Sequence, residues 1–408
     1  LWLICHNIPL LALLAVSFTK GDSVLYKPPL AKGVLRSSGG ILVLRTFDNH
    51  KHIQLNQNYM FSVGLVGLPN AGKSTLFNLL TKRSVPAENF PFTTIDPHDG
   101  IVEVPDERIG VLSKLTSSKK EVYATIEFRD IAGLIKNAHK GEGLGNAFLG
   151  HIQEVDLILL VVRSFKNDDI IHVENRVNPQ EDEEILMLEL TLADEKRLES
   201  TIIRIQKEAK KDPHAEAKIE VLEHIMTKLS NLEPARNFEM DTTWDKEVIE
   251  WRKGLNLLTD KPVLKLANIN FEGENVPYES DFELDILSEY EFAEMTPAER
   301  IELGIPEQTG IDKMIRAAFK KLNLSTYLTC GEMETRAWTF TNGMKAPECA
   351  GKIHSDFEKK FIKAEVVAYN DFVANGSWKA AFEKGAVKTL GKDYVMLDGD
   401  VVEFKIGG

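Results

Sequence analysis

Gly67-Leu68-Pro69-Asn70-Ala71-Gly72-Lys73-Ser74 has the spacing of a phosphate-binding loop, and each residue type in it has a chemical task. Glycines at 67 and 72 let backbone N–H groups turn toward phosphate oxygens. Lys73 brings a compact positive charge to the outer phosphate, and Ser74 offers a hydroxyl to Mg²⁺. Asn70, Ala71 and Thr75 complete the expected nucleotide-binding stretch, with Asn70 read as the cap of the loop rather than as a potassium ligand. Downstream, Asp130-Ile131-Ala132-Gly133 supplies the second half of such a site. A strand-end carboxylate, Asp130, reaches the metal shell, and the Gly133 N–H meets the terminal phosphate. The chemistry implied is binding and hydrolysis of a nucleoside triphosphate with magnesium.

The base and the attacking water are read from two further places. Guanine-specific members of this fold use an Asn-Lys-x-Asp stretch whose carboxylate accepts from guanine N1 and N2. Here the equivalent strand ends in Asn268-Ile269-Asn270-Phe271, with neither lysine nor aspartate. Leaving those donors unpaired in a buried pocket costs about 1–3 kcal/mol each, so adenine is the expected base, with Asn268 and Ile269 beside it. Leu134 stands where Ras-type enzymes carry a water-orienting glutamine, and it can neither donate nor accept. Hydrolysis is then slow or uses another group. His172, in Asp168-Asp169-Ile170-Ile171-His172-Val173, is a candidate to hold the water, although from its position alone it reads first as a plain loop histidine.

These residues need a scaffold, and the hydrophobic pattern supplies one. Phe61–Val66 reads as a buried strand before the loop, and Leu76, Phe77, Leu79 and Leu80 give the following helix one apolar face. Thr125–Phe128 and Leu157–Val162 are further strands, so the chain alternates strand and helix as a doubly wound parallel sheet requires. Residues 181–233 read as two helices broken at Lys211-Asp212-Pro213. Ile185, Leu188, Leu192, Leu198, Ile202 and Ile205 stripe the first, and Ile219, Leu222, Met226 and Leu229 the second. Their dense charges read as a solvated face or a partner surface. Lys261–Ala267 returns to the sheet, which makes the helical pair an insertion. After Leu322 short alternating strands take over, at Arg336–Phe340 and Ile362–Tyr369, with a helix at Ala346–His354. Tyr394–Ile406 reads as a hairpin closed by Asp398-Gly399. This is a compact α+β module expected to stand apart from the triphosphatase core. The divisions are 1–59, 60–180, 181–258, 259–323 and 324–408.

With 408 residues the chain can bury a large core, and its net charge of −13 leaves nucleic-acid attraction to local basic patches. Cys5, Cys330 and Cys349 have no metal-like spacing and no disulfide framework. Leu1–Phe18 is mostly apolar, and the stretch to Met60 carries Lys20, Lys27, Lys32, Arg36, Arg45 and Lys51 against Asp22 and Asp48. That composition fits an import leader, whereas Met60, directly before the first core strand, fits a start there. The first alternative places the protein in an organelle matrix or stroma, the second in the cytoplasm. No later segment reads as a membrane span.

Several of these stretches together resemble the Obg-like ATPases, or YchF proteins. They are Gly67–Ser74, Asn89-Phe90-Pro91-Phe92-Thr93-Thr94, Asp130–Leu134, Lys140-Gly141-Glu142-Gly143-Leu144-Gly145-Asn146, Ala350–His354 and Asp356-Phe357-Glu358-Lys359. The resemblance spans about Met60 to Ile406. It implies a TRAFAC-class P-loop domain, a coiled-coil insertion and a C-terminal TGS domain of β-grasp fold. It also implies ATP preferred over GTP and association with ribosomes, expected in the region of the large subunit. Thr94 would join Ser74 and Asp130 at Mg²⁺, and His172 would position the water beside Lys73. Specific DNA and membranes are not expected partners, and the chain is expected to be a monomer. The rival readings are a GTP-binding translation or ribosome-assembly factor, and an ATP-responsive scaffold that hardly hydrolyses.

Three departures from the family carry expectations. Phe271 stands near where the family has an acid at the base, with Glu272 one place late. Arg129 replaces an apolar residue beside Asp130 and is expected to face solvent at the strand end; pairing with a nearby acid, or disturbance of the metal carboxylate, are the alternatives. A stretch of the family chain is missing after Glu274, so the sheet is expected to lack an edge strand and the base pocket to be more open.

Overall fold

The computed structural model describes residues 60–84, 98–131, 146–167, 176–241, 243–305 and 308–407. Among them no helix is long and apolar enough to cross a membrane.

The chain builds first a sheet from Ser62–Val66 (β1), Asp99–Glu103 (β2), Thr125–Asp130 (β4), Leu157–Arg163 (β5), Val263–Asn268 (β6) and Phe282–Leu284 (β7). Their order is β2-β4-β1-β5-β6-β7, parallel throughout except for β2 against β4. β1 and β5 are buried along their whole length, which is why they read as continuous apolar runs rather than alternating ones. Helices cover both faces. Lys73–Thr81 (α1) and Glu107–Thr116 (α2) share a core with Val63, Leu65, Phe128 and Leu159. Asn146–Glu154 (α3) and the start of Pro179–Glu208 (α4) pack on Val66, Ile158, Leu160 and Val162 from the other side. Burying each such aliphatic side chain contributes about 1.5–3 kcal/mol. The doubly wound α/β reading therefore holds.

α4 begins at Pro179 behind an Asn178 cap and runs to Glu208; after the 3₁₀ turn Ala209–Lys211, Ala215–Ser230 (α5) packs back on it. Lys246–Lys253 (α6) closes that cluster through Val248. The phase of the α4 stripe differs from the sequence reading. Leu186 and Leu190 are buried, whereas Leu188 and Leu192 are 44% and 50% exposed. Near its N-terminus α4 packs on the sheet, not on α5, so the buried face there is set by α3 and β5 rather than by a regular two-helix seam.

The sheet does not lack its sixth strand. β7 pairs with β6 through Leu266↔Phe282 and Asn268↔Leu284. The segment 269–281 suffices for the crossover of about a dozen residues that parallel neighbours need. Leu284, 3% exposed, anchors the strand in the core. Ile286–Glu294 (α7), Pro297–Glu302 (α8) and Gly310–Lys321 (α9) follow, and α9 buries Ile311, Met314, Ile315, Ala318 and Phe319 on one face.

A second sheet has the order β11-β10-β12-β8-β9-β3. It is formed by Leu324–Cys330 (β8), Thr335–Thr341 (β9), Phe361–Ala368 (β10), Lys388–Leu390 (β11) and Asp400–Ile406 (β12), joined by Glu121–Val122 (β3) from the first half of the chain. Ala346–Ile353 (α10), Ser355–Lys359 (α11), Tyr369–Asn375 (α12) and Trp378–Glu383 (α13) complete it. The C-terminal module is thus not separate from the core. β3 pairs with β9, and Leu328, Ala337, Val367 and Val401 belong to the same hydrophobic cluster as α1 and α2. An exposed β9 edge would be a template for pairing, and β3 covers it. Arg108 ties the junction, donating to Asp106 and Thr326 at 2.8 and 2.9 Å and to Asp398 at 2.9 Å. The expected hairpin at Tyr394–Ile406 does not form. β12 lies between β10 and β8, and Asp398 turns away from a hairpin role to accept from the Thr326 N–H.

Candidate functional site

The carboxyl ends of β1, β4, β5, β6 and β7 converge where the phosphate loop leaves β1, the position at which open α/β sheets bind ligands. Two backbone constraints shape the loop. Gly67 passes so close to β5 that a Cβ there would lie 2.2 Å from the Val161 carbonyl oxygen. Gly72, with φ 104°, caps α1, and a Cβ on it would stand 2.4 Å from Asn268 Nδ2. Asn70 also takes positive φ, at 63°. The loop closes through Ala71 N–H donating to Leu68 O at 3.3 Å, and Leu76 N–H reaches Gly72 O at 2.9 Å to start the helix. The first N–H groups of α1, which have no partner within the helix, therefore lie at the end of the loop.

Lys73 is 5% exposed, and its ammonium donates to Leu68 O at 2.7 Å. Burial brings its pKa down to about 8, opposed by the negative field of Asp130. An unfolded lysine titrates near 10.5, so between pH 8 and 10.5 the unfolded chain holds the extra proton and stability rises with pH across that window. Triphosphate favours the charged form and moves the other way. We expect nucleotide binding at pH 8.5 to take up a fraction of a proton and to weaken further above it. Titration calorimetry in two buffers of different ionisation enthalpy checks this; identical heats would contradict it.

Asp130, 5% exposed, ends β4 opposite Leu65 of β1, and Ser74 is exposed on the first turn of α1. One buried carboxylate at the end of β4 and one hydroxyl on the first turn of α1 are hard-oxygen donors of the kind Mg²⁺ takes together with substrate phosphates. The residues present fit the metal. Thr75 is also exposed on that turn. Thr94, Gly133, Leu134 and His172 lie outside the described residues.

Asn268 is 6% exposed, and its amide is committed to the scaffold. Nδ2 donates to Ala71 O at 3.0 Å, and Oδ1 accepts from Ile286 N–H at 3.4 Å. It thereby bolts β6 to the phosphate loop and to the start of α7. Ile269 donates its N–H to Leu284 O at 3.0 Å and is half-buried. Phe271 is 66% exposed.

Arg129 does not face solvent alone. It lies among Asp99, Glu127 and Glu154 at 3.4, 3.1 and 3.5 Å, because its side chain leaves β4 on the face opposite Asp130. The guanidinium thus lies on the other face of the strand from the Asp130 side chain. Burial pushes Glu127 up to about 7, only partly countered by Arg129. Two residues escaped the sequence reading. Arg163 ends the apolar β5, is 1% exposed, and holds the outgoing segment by donating to Phe165 O and Asn167 O at 3.0 and 2.8 Å. Its signal was a charge closing an otherwise apolar run. Asp285 caps α7, and an aspartate before an apolar helix start is a cap signal.

Residues 62–207 match the family model described as "50S ribosome-binding GTPase", and residues 324–407 match the C-terminal YchF-GTPase model, described as "Protein of unknown function". The chain is 47% identical over 365 residues to the ribosome-binding ATPase YchF of Bacillus subtilis, covering 84% of this chain and 98% of the relative. It is 44% identical over 362 residues to the ribosome-binding ATPase YchF of Escherichia coli O157:H7, covering 84% and 98%. Among solved structures, the YchF GTPase of Schizosaccharomyces pombe superposes with a TM-score of 0.74 at 35% identity, over 85% of this chain and 97% of that one.

Proposed function

The chain belongs to the YchF family, and from that premise we propose that it is a ribosome-associated ATPase whose bound nucleotide sets its conformation. The observation that carries this reading is the Lys73 ammonium. It is buried, its pKa brought down to about 8, and among the described residues its hydrogen bond goes to a backbone carbonyl of its own loop, a state that an arriving phosphate relieves. Asn70 to Thr75 and the Gly133 N–H hold the phosphates, and Asn268 and Ile269 form one wall of the base pocket. Ser74, Asp130 and Thr94 would hold Mg²⁺, which when bound neutralises phosphate charge. His172 orients the water, and Lys73 stabilises charge on the outer phosphate.

ATP is preferred and GTP taken less well. The α4–α5 pair is read as a coiled-coil insertion and the C-terminal sheet as a TGS domain of β-grasp fold. Both are proposed to dock a monomer on the ribosome, near the large subunit. The switch segments are 87–99 and 133–150, ordered by the outer phosphate and released on hydrolysis. Support comes from β3 and α2, which lie between those segments in the chain and touch the C-terminal sheet.

Competition of ATP and GTP for one fluorescent nucleotide is expected to favour ATP; tenfold tighter GTP would overturn the assignment. In single-turnover assays His172→Ala is expected to slow hydrolysis about 10²-fold or more, the usual scale of acid–base assistance. An unchanged rate would remove the histidine from the reaction.

A further inference from the structure

A carboxylate stands where the base loop has lost one. Position 271 is where guanine-reading loops of this fold carry aspartate, and here it is Phe271. Its side chain is exposed, but its backbone N–H donates to Asp285 Oδ2 at 3.0 Å. Asp285 directly follows β7, one residue beyond the Asn268↔Leu284 pair. On one side of it Ile269 N–H binds Leu284 O, and on the other Ile286 N–H binds Asn268 Oδ1. The carboxylate therefore sits inside the short set of residues that wall the base pocket.

Capping alone does not account for it. Oδ1 accepts from Ser288 N–H at 3.1 Å, a task that asparagine or serine performs as well. Asp285 is 6% exposed, and among the described residues no cation pairs with it. Burying a carboxylate without a cation costs several kcal/mol unless its lone pairs are used. Two backbone donors occupy about half of the roughly four acceptor sites a carboxylate offers.

We propose that Asp285 is the specificity-determining residue of the base pocket. Its carboxylate, supplied by the neighbouring strand end, accepts a hydrogen bond from the amino group of the purine edge, the role an acid at position 271 would otherwise fill. This inference rests on the ATPase reading and names the group that selects the base.

The test compares Mg²⁺ complexes of ATP and of purine riboside triphosphate, which lacks the 6-amino group, on the full chain. The unsubstituted protein is expected to bind ATP at least about tenfold more tightly, the value of one hydrogen bond to a charged acceptor. In Asp285→Asn the cap survives while an NH₂ donor can replace the acceptor, and the ratio is expected to fall below about threefold with purine riboside triphosphate binding unchanged. Asp285→Ser, with its own capping hydroxyl, is expected to do the same, and thermal unfolding of each variant verifies the fold. A ratio that persists in the variants, or an equal loss for both nucleotides, would reduce Asp285 to a cap and overturn the proposal. An unsubstituted protein that binds both equally would also overturn it while leaving the triphosphatase intact. One that binds neither would end the ATPase reading as well.

Discussion

Lys73→Met is expected to abolish the thermal stabilisation that Mg-ATP confers while leaving the nucleotide-free protein as stable as before, or more so. The two halves of that result have one cause. In the free protein the Lys73 ammonium is 5% exposed and brought down to about pKa 8, so its charge is a burden on the folded state. Methionine keeps the stem's packing and removes the burden. With nucleotide the same charge is proposed to meet the outer phosphate oxygens, and removing a pre-placed donor of this kind lowers transition-state stabilisation by about 2.7–4 kcal/mol, or 10²–10³ in rate. Ligand at a hundred times its dissociation constant stabilises a protein by about 2.7 kcal/mol, so the lost shift is readily measured by scanning fluorimetry with and without Mg-ATP. A retained shift together with a retained rate would show that the lysine is not at the phosphates.

Gly67→Ala is expected to destabilise the free protein by about 3 kcal/mol, the upper end of overpacking effects, and to lose nucleotide binding with it. The added Cβ would stand 2.2 Å from the Val161 carbonyl oxygen, in a strand whose every residue is buried. A side chain could rotate away; a central strand's backbone cannot. Gly110→Ala is the matched control. Gly110 lies inside α2 with nothing within 4 Å of the added atom, and the change there is expected to stabilise by about 0.5–1 kcal/mol. Urea unfolding of both variants reads the contrast, and a Gly67→Ala loss under about 1 kcal/mol would mean the loop yields.

Arg129 shows how local reading reaches its limit. Its place at a strand end beside Asp130 is visible in the sequence, but its neighbours Asp99 and Glu154 belong to β2 and α3, which only sheet order brings alongside. Likewise the edge strand 282–284 is too short to announce itself by alternation, and it exists because β6 offers a ladder and the core a place for Leu284.

What the sequence determined by itself is whatever depends on neighbours along the chain. The phosphate loop, its strand and helix, Lys73 and Ser74 within it, and Asp130 at a strand end all follow from residue type and spacing, because glycine torsions and apolar periodicity act over a few residues. The tertiary structure alone decided what depends on neighbours through space. It committed the Asn268 amide to the loop and to α7, drew β3 into the C-terminal sheet, and set Asp285 against Phe271. Hydrogen bonds between distant segments and the closure of sheet edges follow from the order in which strands assemble, and no short stretch of sequence encodes that order.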